Sequence, residues 1–170
     1  NIYCIGTCGD MRTIVVGLGN PFLGDDDVGI HVTRMLKSKL KRNYAHGEFI
    51  YDIDVEEASV GGIELVELIL GYDRAIIIDS IQGDEEDRGN VCRLTLEDLK
   101  NMFGSVQSEP LTLHNVGFLQ ALKFWMSVMP EAIPTEIVIY AVKVKRTDTF
   151  TEDMSPEVQA VIPKITDMVL

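Results

Sequence analysis

The sequence predicts an α/β protein: a single three-layer domain with a mostly parallel five-stranded β-sheet and helices on both faces. Strand-like apolar runs alternate with helical stretches along the chain, which is typical of such sheets. Residues 75–80 (AIIIDS) are apolar at every position before Asp79, as in a strand that is covered on both sides. The length of 170 residues suits one domain. We assign residues 11–170 to that domain and residues 1–10 to a short native extension or an expression remnant.

Each element has its own local pattern. Residues 13–18 form a β-branched run that ends at Gly-Asn-Pro, which predicts a buried strand. Residues 28–41 have apolar side chains at helical spacing and basic side chains near the C-terminal end. Residues 61–70 predict a short helix that stops at Gly71. The remaining predictions are strands at 48–55, 91–96 (nearer an edge) and 136–144, and helices at 97–102, 113–129 and 156–169.

The charge balance excludes two classes of partner. Lys and Arg number 15 against 27 Asp and Glu, for a net charge of −12. A nucleic-acid binder needs a basic face, and an anionic membrane surface attracts basic segments, so we expect neither partner. No apolar run approaches the ~18–20 residues that cross a bilayer.

The cysteines predict a reducing compartment. Cys4, Cys8 and Cys92 are an odd set without paired spacing, so they do not form a disulfide framework. We interpret them as reduced thiols in a cytoplasmic protein.

A glycine-rich segment follows the first predicted strand. Gly17-Leu18-Gly19 resembles the start of a dinucleotide-binding fingerprint, but Phe22 stands where the third glycine belongs. Asp25, Asp26 and Asp27 then occupy the helix start that would receive a pyrophosphate, and they would repel it. The segment therefore predicts neither a dinucleotide site nor a P-loop.

The three aspartates have two interpretations. Carboxylates at a helix N-terminus cap it and complement its dipole, which we favour for Asp27 and Asp25. Alternatively, one carboxylate points into the crevice beyond the strand ends as a metal ligand or base. Asp79 stands at a comparable place after an apolar strand, and there we favour the functional interpretation.

One histidine joins these carboxylates as a candidate. The chain has three: His31 is predicted on the polar side of a helix, His46 lies in a polar connection, and His114 begins a helix. Alone, His114 would suit a cap or a surface position. Two carboxylates and His114 from separate loops would hold a divalent cation and leave positions open, as metal-assisted hydrolysis requires. Such mixed ligands suit zinc or nickel better than calcium.

Five segments in register resemble the nickel–iron hydrogenase maturation endopeptidases. The opening motif Gly-x-Gly-Asn-Pro-x-x-Gly-Asp-Asp-x-x-Gly stands at 17–29. The others are the glycine-containing segment 57–65, the apolar strand 75–80 ending in Asp-Ser, Leu-His-Asn at 113–115, and the helix segment 155–163.

The resemblance implies a twisted five-stranded sheet between helices and an endopeptidase activity. Such enzymes remove a C-terminal extension from the hydrogenase large-subunit precursor after nickel insertion. The family's metal-contacting positions correspond to Asp26, Asp79 and His114. The nickel would come with the precursor, and no tightly bound organic cofactor is implied. The family commonly has glycine where this chain has Asp27, which places an extra charge beside the site.

The implied mechanism is hydrolysis by an activated water. Either the metal or a carboxylate acting as general base would activate that water. The sequence contains no Gly-x-Ser-x-Gly elbow and no His-Glu-x-x-His zinc motif.

Two other interpretations stay open at this point. The segments 17–21 and 114–118 also resemble parts of peptidyl-tRNA hydrolases, although those parts lie close together in that family and far apart here. The chain could also be a metal-sensing hydrogenase chaperone that binds the precursor without cutting it.

Overall fold

Five strands form one mixed, mostly parallel sheet. The structure, a computed structural model, describes residues 11–45, 52–102, 113–145 and 150–170, without the side chains of 44–45, 99–100, 102 and 113–116. The strands are β1 (Thr13–Leu18), β2 (Ile53–Ala58), β3 (Arg74–Gln82), β4 (Val91–Thr95) and β5 (Glu136–Val144). Their order is β2-β1-β3-β5-β4. β4 runs antiparallel to β5, and the other neighbouring pairs are parallel.

Helices cover both faces of this sheet. They are α1 (Val28–Ala45), α2 (Gly62–Ile69), α3 (Leu96–Met102), α4 (Leu113–Val128), α5 (Pro156–Gln159) and α6 (Ile162–Val169). One apolar core lies between the sheet and the helices α2 and α4. The other lies between the sheet and α1, α5 and α6. The three predicted layers are thus confirmed.

The continuous apolar run of β3 follows from these two cores. Ile77 packs toward α2 and α4, while Ile76 and Ile78 pack toward α1 and α6. Successive side chains of a strand point to opposite faces, so a strand covered on both sides has no polar position. The predicted edge position of β4 is also confirmed, since only β5 pairs with it within the described sheet.

The strand order creates a crevice between β1 and β3. The chain leaves β1 through α1 to β2 on one side, then crosses through α2 to β3 on the other side. The connections therefore diverge at the carboxyl ends of β1 and β3, where α/β proteins bind ligands. The last residue pair between these strands is Gly17 with Ile78. Asp79 is the next residue of β3.

Several predicted boundaries differ from the structure, including the end of α1, which lies at Ala45 instead of residue 41. β3 continues past Asp79 to Gln82, alongside β5. β2 is Ile53–Ala58, and residues 48–51 of the predicted strand lie outside the described residues. The single closing helix 156–169 is wrong, because α5 ends at Gln159 and α6 begins at Ile162. In a continuous helix, Pro163 would have no N–H to donate to the carbonyl oxygen of Gln159, and the proline ring would clash with that carbonyl group. The chain therefore begins a new helix with Pro163 in the first turn.

Over the described residues, no helix combines the length and apolar character needed to span a bilayer.

Candidate active site

The three aspartates lie in one turn between β1 and α1. A 3-10 turn covers Gly24–Asp27, and α1 follows it directly. The turn reaches β3 because glycines remove side chains from the contact between α1 and the sheet. A Cβ atom on Gly17 would lie 2.2 Å from the carbonyl oxygen of Gly29, and one on Gly29 would lie 2.4 Å from that of Ile78. Such distances exclude any side chain, so the close approach requires glycine at both positions.

Asp26 and Asp79 are brought together at the crevice by Ser80. The Ser80 backbone N–H donates to Asp79 Oδ1 at 2.8 Å. The Ser80 hydroxyl donates to Asp26 Oδ1 at 2.5 Å. Asp79 is 2% exposed, and its Oδ2 has no hydrogen-bond partner among the described residues. One serine therefore joins two carboxyl groups that come from different connections of the sheet.

The pKa of the Asp79 carboxyl is raised to about 7. Burial is the main cause, because it removes water from the charged form, and the charge of Asp26 adds to the effect. The hydrogen bond from the Ser80 N–H acts in the opposite direction. The Asp79 carboxyl can therefore both hold and release a proton near neutral pH, as general acid–base work requires.

Asp25 has a structural partner at the far end of the chain. Its carboxylate accepts hydrogen bonds from the backbone N–H and the hydroxyl of Ser155. Ser155 stands just before α5, so Asp25 serves that helix start rather than its own. The capping interpretation of Asp25 therefore needs correction: its contacts fasten the turn to α5.

Asp27 pairs with a histidine one turn along α1. Asp27 Oδ2 lies 3.2 Å from His31 Nε2, and the aspartate is 5% exposed. Its Oδ1 has no hydrogen-bond partner among the described residues. Burial raises the pKa of Asp27, while the nearby charges of His31 and Arg34 lower it. The Asp27 side chain is thus turned toward α1.

His114 is the second residue of α4, and its side chain lies outside the described residues. The backbone of α4 at Gly117 packs on the start of α2, since a Cβ atom there would lie 3.2 Å from Gly62 Cα. Ser59, just before α2, donates to the carbonyl oxygen of Gly19 at 2.8 Å. The start of α4 therefore lies at the same sheet edge as the connections after β1 and β2. His46 also falls outside the described residues.

The structure thus brings together two of the three predicted site residues. In the described portion of the chain, no group of three His, Cys, Asp or Glu side chains is placed to hold a metal ion. Sequence reasoning missed Ser80. Its signal was available: alternation along β3 puts Ser80 on the face of Ile78 and α1, from which Asp26 arrives.

Comparisons with known proteins agree with this fold. The family model HycI, described as hydrogenase maturation protease, matches residues 34–170. No curated protein matches the chain.

Solved structures match over almost the whole chain. The [NiFe] hydrogenase maturation protease HybD from Thermococcus kodakarensis is 25% identical with a TM-score of 0.70, covering 94% of this chain and 97% of that one. The hydrogenase 2 maturation peptidase from a Thaumarchaeota archaeon is 27% identical with a TM-score of 0.62, covering 94% and 95%. The hydrogenase maturating endopeptidase HybD from E. coli shares the fold at 21% identity and a TM-score of 0.70, covering 94% and 90%. With a family model matched over most of its length, this chain belongs to the hydrogenase maturation proteases, a family of endopeptidases.

Proposed function

We propose that this endopeptidase removes the C-terminal extension of a nickel–iron hydrogenase large-subunit precursor once nickel has been inserted. Asp26, Asp79 and His114 contact that nickel, which is part of the substrate. One observation carries the proposal: the carboxyl groups of Asp26 and Asp79 meet through Ser80 at the β1–β3 crevice. The similarity to the Thermococcus kodakarensis HybD, a [NiFe] hydrogenase maturation protease, supports the substrate class.

The placement of Asp79 supports its role as a ligand. Side chains alternate along β3, so Asp79 shares the face of Ile77, toward α2 and α4. The helix that carries His114 packs on that same face. Asp79 Oδ2 is a buried acceptor without a donor among the described residues. A cation on that oxygen would satisfy it and offset the cost of its burial.

The chemistry follows from these groups. A docked precursor brings its nickel to the carboxylates and the imidazole, and its scissile peptide lies beside that centre. A water attacks the peptide carbonyl carbon while a carboxylate takes a proton from it. The proton then passes to the leaving amine, and the C–N bond breaks. Before the precursor docks, the pKa of the Asp79 carboxyl is about 7, so this group exchanges a proton near neutral pH until it meets the nickel.

The experiment compares two precursors by intact mass. A nickel-loaded and a nickel-free large-subunit precursor are each incubated with the protein. We expect loss of a C-terminal peptide from the loaded precursor alone. Asp26→Asn should abolish that loss, whereas Glu131→Gln, at an exposed acid outside the site, should leave it intact.

Three results would contradict the proposal. Cleavage of both precursors would show that the reaction does not depend on nickel. Unchanged cleavage by Asp26→Asn would show that Asp26 is not a ligand of the nickel. A stable complex with an uncut loaded precursor would favour the metal-sensing chaperone instead.

A further inference from the structure

We infer that Ser80 is a positioning residue, which orients the Asp26 carboxylate relative to Asp79. The inference rests on the proposed function, because it concerns two carboxyl groups assigned there to the substrate nickel. Ser80 is 1% exposed and therefore does not meet solvent itself. Its two donors act on different partners: the backbone N–H on Asp79 and the hydroxyl on Asp26.

The two carboxyl groups need different kinds of support. Asp79 belongs to β3, where it is paired with Ala141 of β5, so the sheet fixes its backbone. Asp26 belongs to a 3-10 turn outside the sheet and is partly exposed. Among the described residues, the hydrogen bond that its carboxylate accepts comes from the Ser80 hydroxyl. The Ser80 hydroxyl, held by β3, thus restricts the orientation of the Asp26 side chain in the turn.

The direction of the Ser80 side chain explains why its hydroxyl reaches Asp26. Ser80 is paired with Val142 of β5, one residue beyond Asp79, and alternation puts its hydroxyl on the α1 face. The start of α1 approaches that face closely, since Gly29 lies against the carbonyl oxygen of Ile78. Asp26, three residues before Gly29, is therefore within reach of the hydroxyl.

The hydrogen bonds of Ser80 determine which carboxylate oxygens of Asp26 and Asp79 remain free to bind a cation. Ser80 occupies Oδ1 of Asp26 and Oδ1 of Asp79. The Oδ2 atoms of the two residues are then the ones offered to a cation carried by the precursor. A free Asp26 side chain would present either oxygen in several rotamers, and outer partners that fix ligands in this way typically affect metal affinity or activity 10–100-fold.

The test separates the hydroxyl from the rest of the residue. Ser80→Ala removes the bond to Asp26 and keeps the backbone bond to Asp79. We expect kcat for cleavage of a nickel-loaded precursor to fall about 10–100-fold with little change in KM. The affinity of the protease alone for Ni(II) should fall in parallel. Ser80→Thr, which keeps a hydroxyl, should recover most of both quantities.

A matched control is Ser127→Ala, which removes an exposed hydroxyl that donates to the carbonyl oxygen of Phe124. It should change neither kcat nor Ni(II) affinity. The midpoint of thermal unfolding is measured for every variant, and kinetics are taken well below the lowest one.

The outcomes distinguish this inference from the proposed function. Full activity in Ser80→Ala beside an inactive Asp26→Asn would overturn the positioning role and leave the function intact. Equal losses in Ser80→Ala and Ser80→Thr, both folded, would also overturn it, because the hydroxyl would then not be the cause. Full activity in Asp26→Asn would instead overturn the proposed function.

Discussion

Asp25 and Ser155 are joined by two hydrogen bonds across 130 residues of sequence. The Ser155 backbone N–H donates to Asp25 Oδ1 at 2.6 Å, and its hydroxyl donates to Oδ2 at 2.9 Å. Arg88 Nε lies 4.0 Å from the same Oδ2. The turn that carries Asp26 is therefore fastened to the start of α5 by the aspartate next to it.

Replacing either residue of this pair should lower the free energy of unfolding. Asp25→Ala leaves two part-buried donors without an acceptor and should cost about 1–3 kcal/mol, while Ser155→Ala loses one hydroxyl bond and should cost about 1 kcal/mol. The double variant should lose less than the sum, because the two residues share the interaction. Urea unfolding measures all three. Glu152→Ala, at an exposed neighbouring position, is the control, and strictly additive losses would show that the pair is not coupled.

Asp79→Asn should stabilise the protein at alkaline pH. The pKa of Asp79 is raised from 3.8 to about 7 in the folded state. Between these values the folded chain binds a proton that the unfolded chain has lost, so the free energy of unfolding falls as pH rises through that window. It stays low above pH 7, where the folded protein must hold a buried charge.

Asparagine has almost the same shape and no charge, so this variant should gain stability over the natural chain at pH 8 and much less at pH 5. The gain should be on the order of a few kcal/mol. Unfolding curves at both pH values measure it, and activity should be lost at each. An equal difference at the two pH values would show that the pKa of Asp79 is not raised.

Chelation of the protease alone should leave its activity intact. A resident metal would have to displace the proton that Asp79 holds near neutral pH, and such competition weakens binding. In the proposed function, the nickel also arrives with the precursor. Protease treated with EDTA and then desalted should cleave a loaded precursor at the untreated rate. Loss of activity that Zn(II) restores would indicate a resident metal instead.

Two glycines should respond very differently to alanine. A Cβ atom on Gly29 would lie 2.3 Å from the carbonyl oxygen of Leu18, whereas one on Gly71 would meet nothing within 4 Å. Gly29→Ala must push α1 off the sheet, so we expect a loss of more than about 4 kcal/mol or failure to fold. Gly71 has φ +80, and alanine there should cost about 1–2 kcal/mol. Denaturation of both variants measures the contrast, and similar losses would contradict the close approach.

The sequence predicts most of the fold because its layers impose strong local patterns. β3 is recognisable since both of its faces are buried, and β1 since glycine and proline end it. The rule that parallel strands present their carboxyl ends at one edge predicts that Asp79 and one of the three aspartates after β1 lie near the same crevice. The choice of Asp26 among those three came from the family resemblance.

Other features depend on contacts that local patterns do not show. Ser80 and Asp26 are separated by 54 residues, and the bond between them can be inferred only once the sheet puts Ser80 on the face that α1 covers. The partner of Asp25 is more remote still, at 130 residues. The pairing of Asp27 with His31 can be predicted from the sequence, because a spacing of four residues puts both side chains on one helix face. The break between α5 and α6 is also marked locally, because Pro163 cannot continue a helix that began at Pro156.

β5 is the last strand in sequence, yet it lies between β3 and β4 in the sheet. During synthesis, Asp26 and Asp79 leave the ribosome long before Glu136–Val144 does. Until β5 is in place, the segment of β3 that holds Asp79 has no paired strand. The turn that holds Asp26 also lacks its hydrogen bonds from Ser155, which is synthesised later. A nascent chain therefore carries both carboxylates well before it carries a working protease.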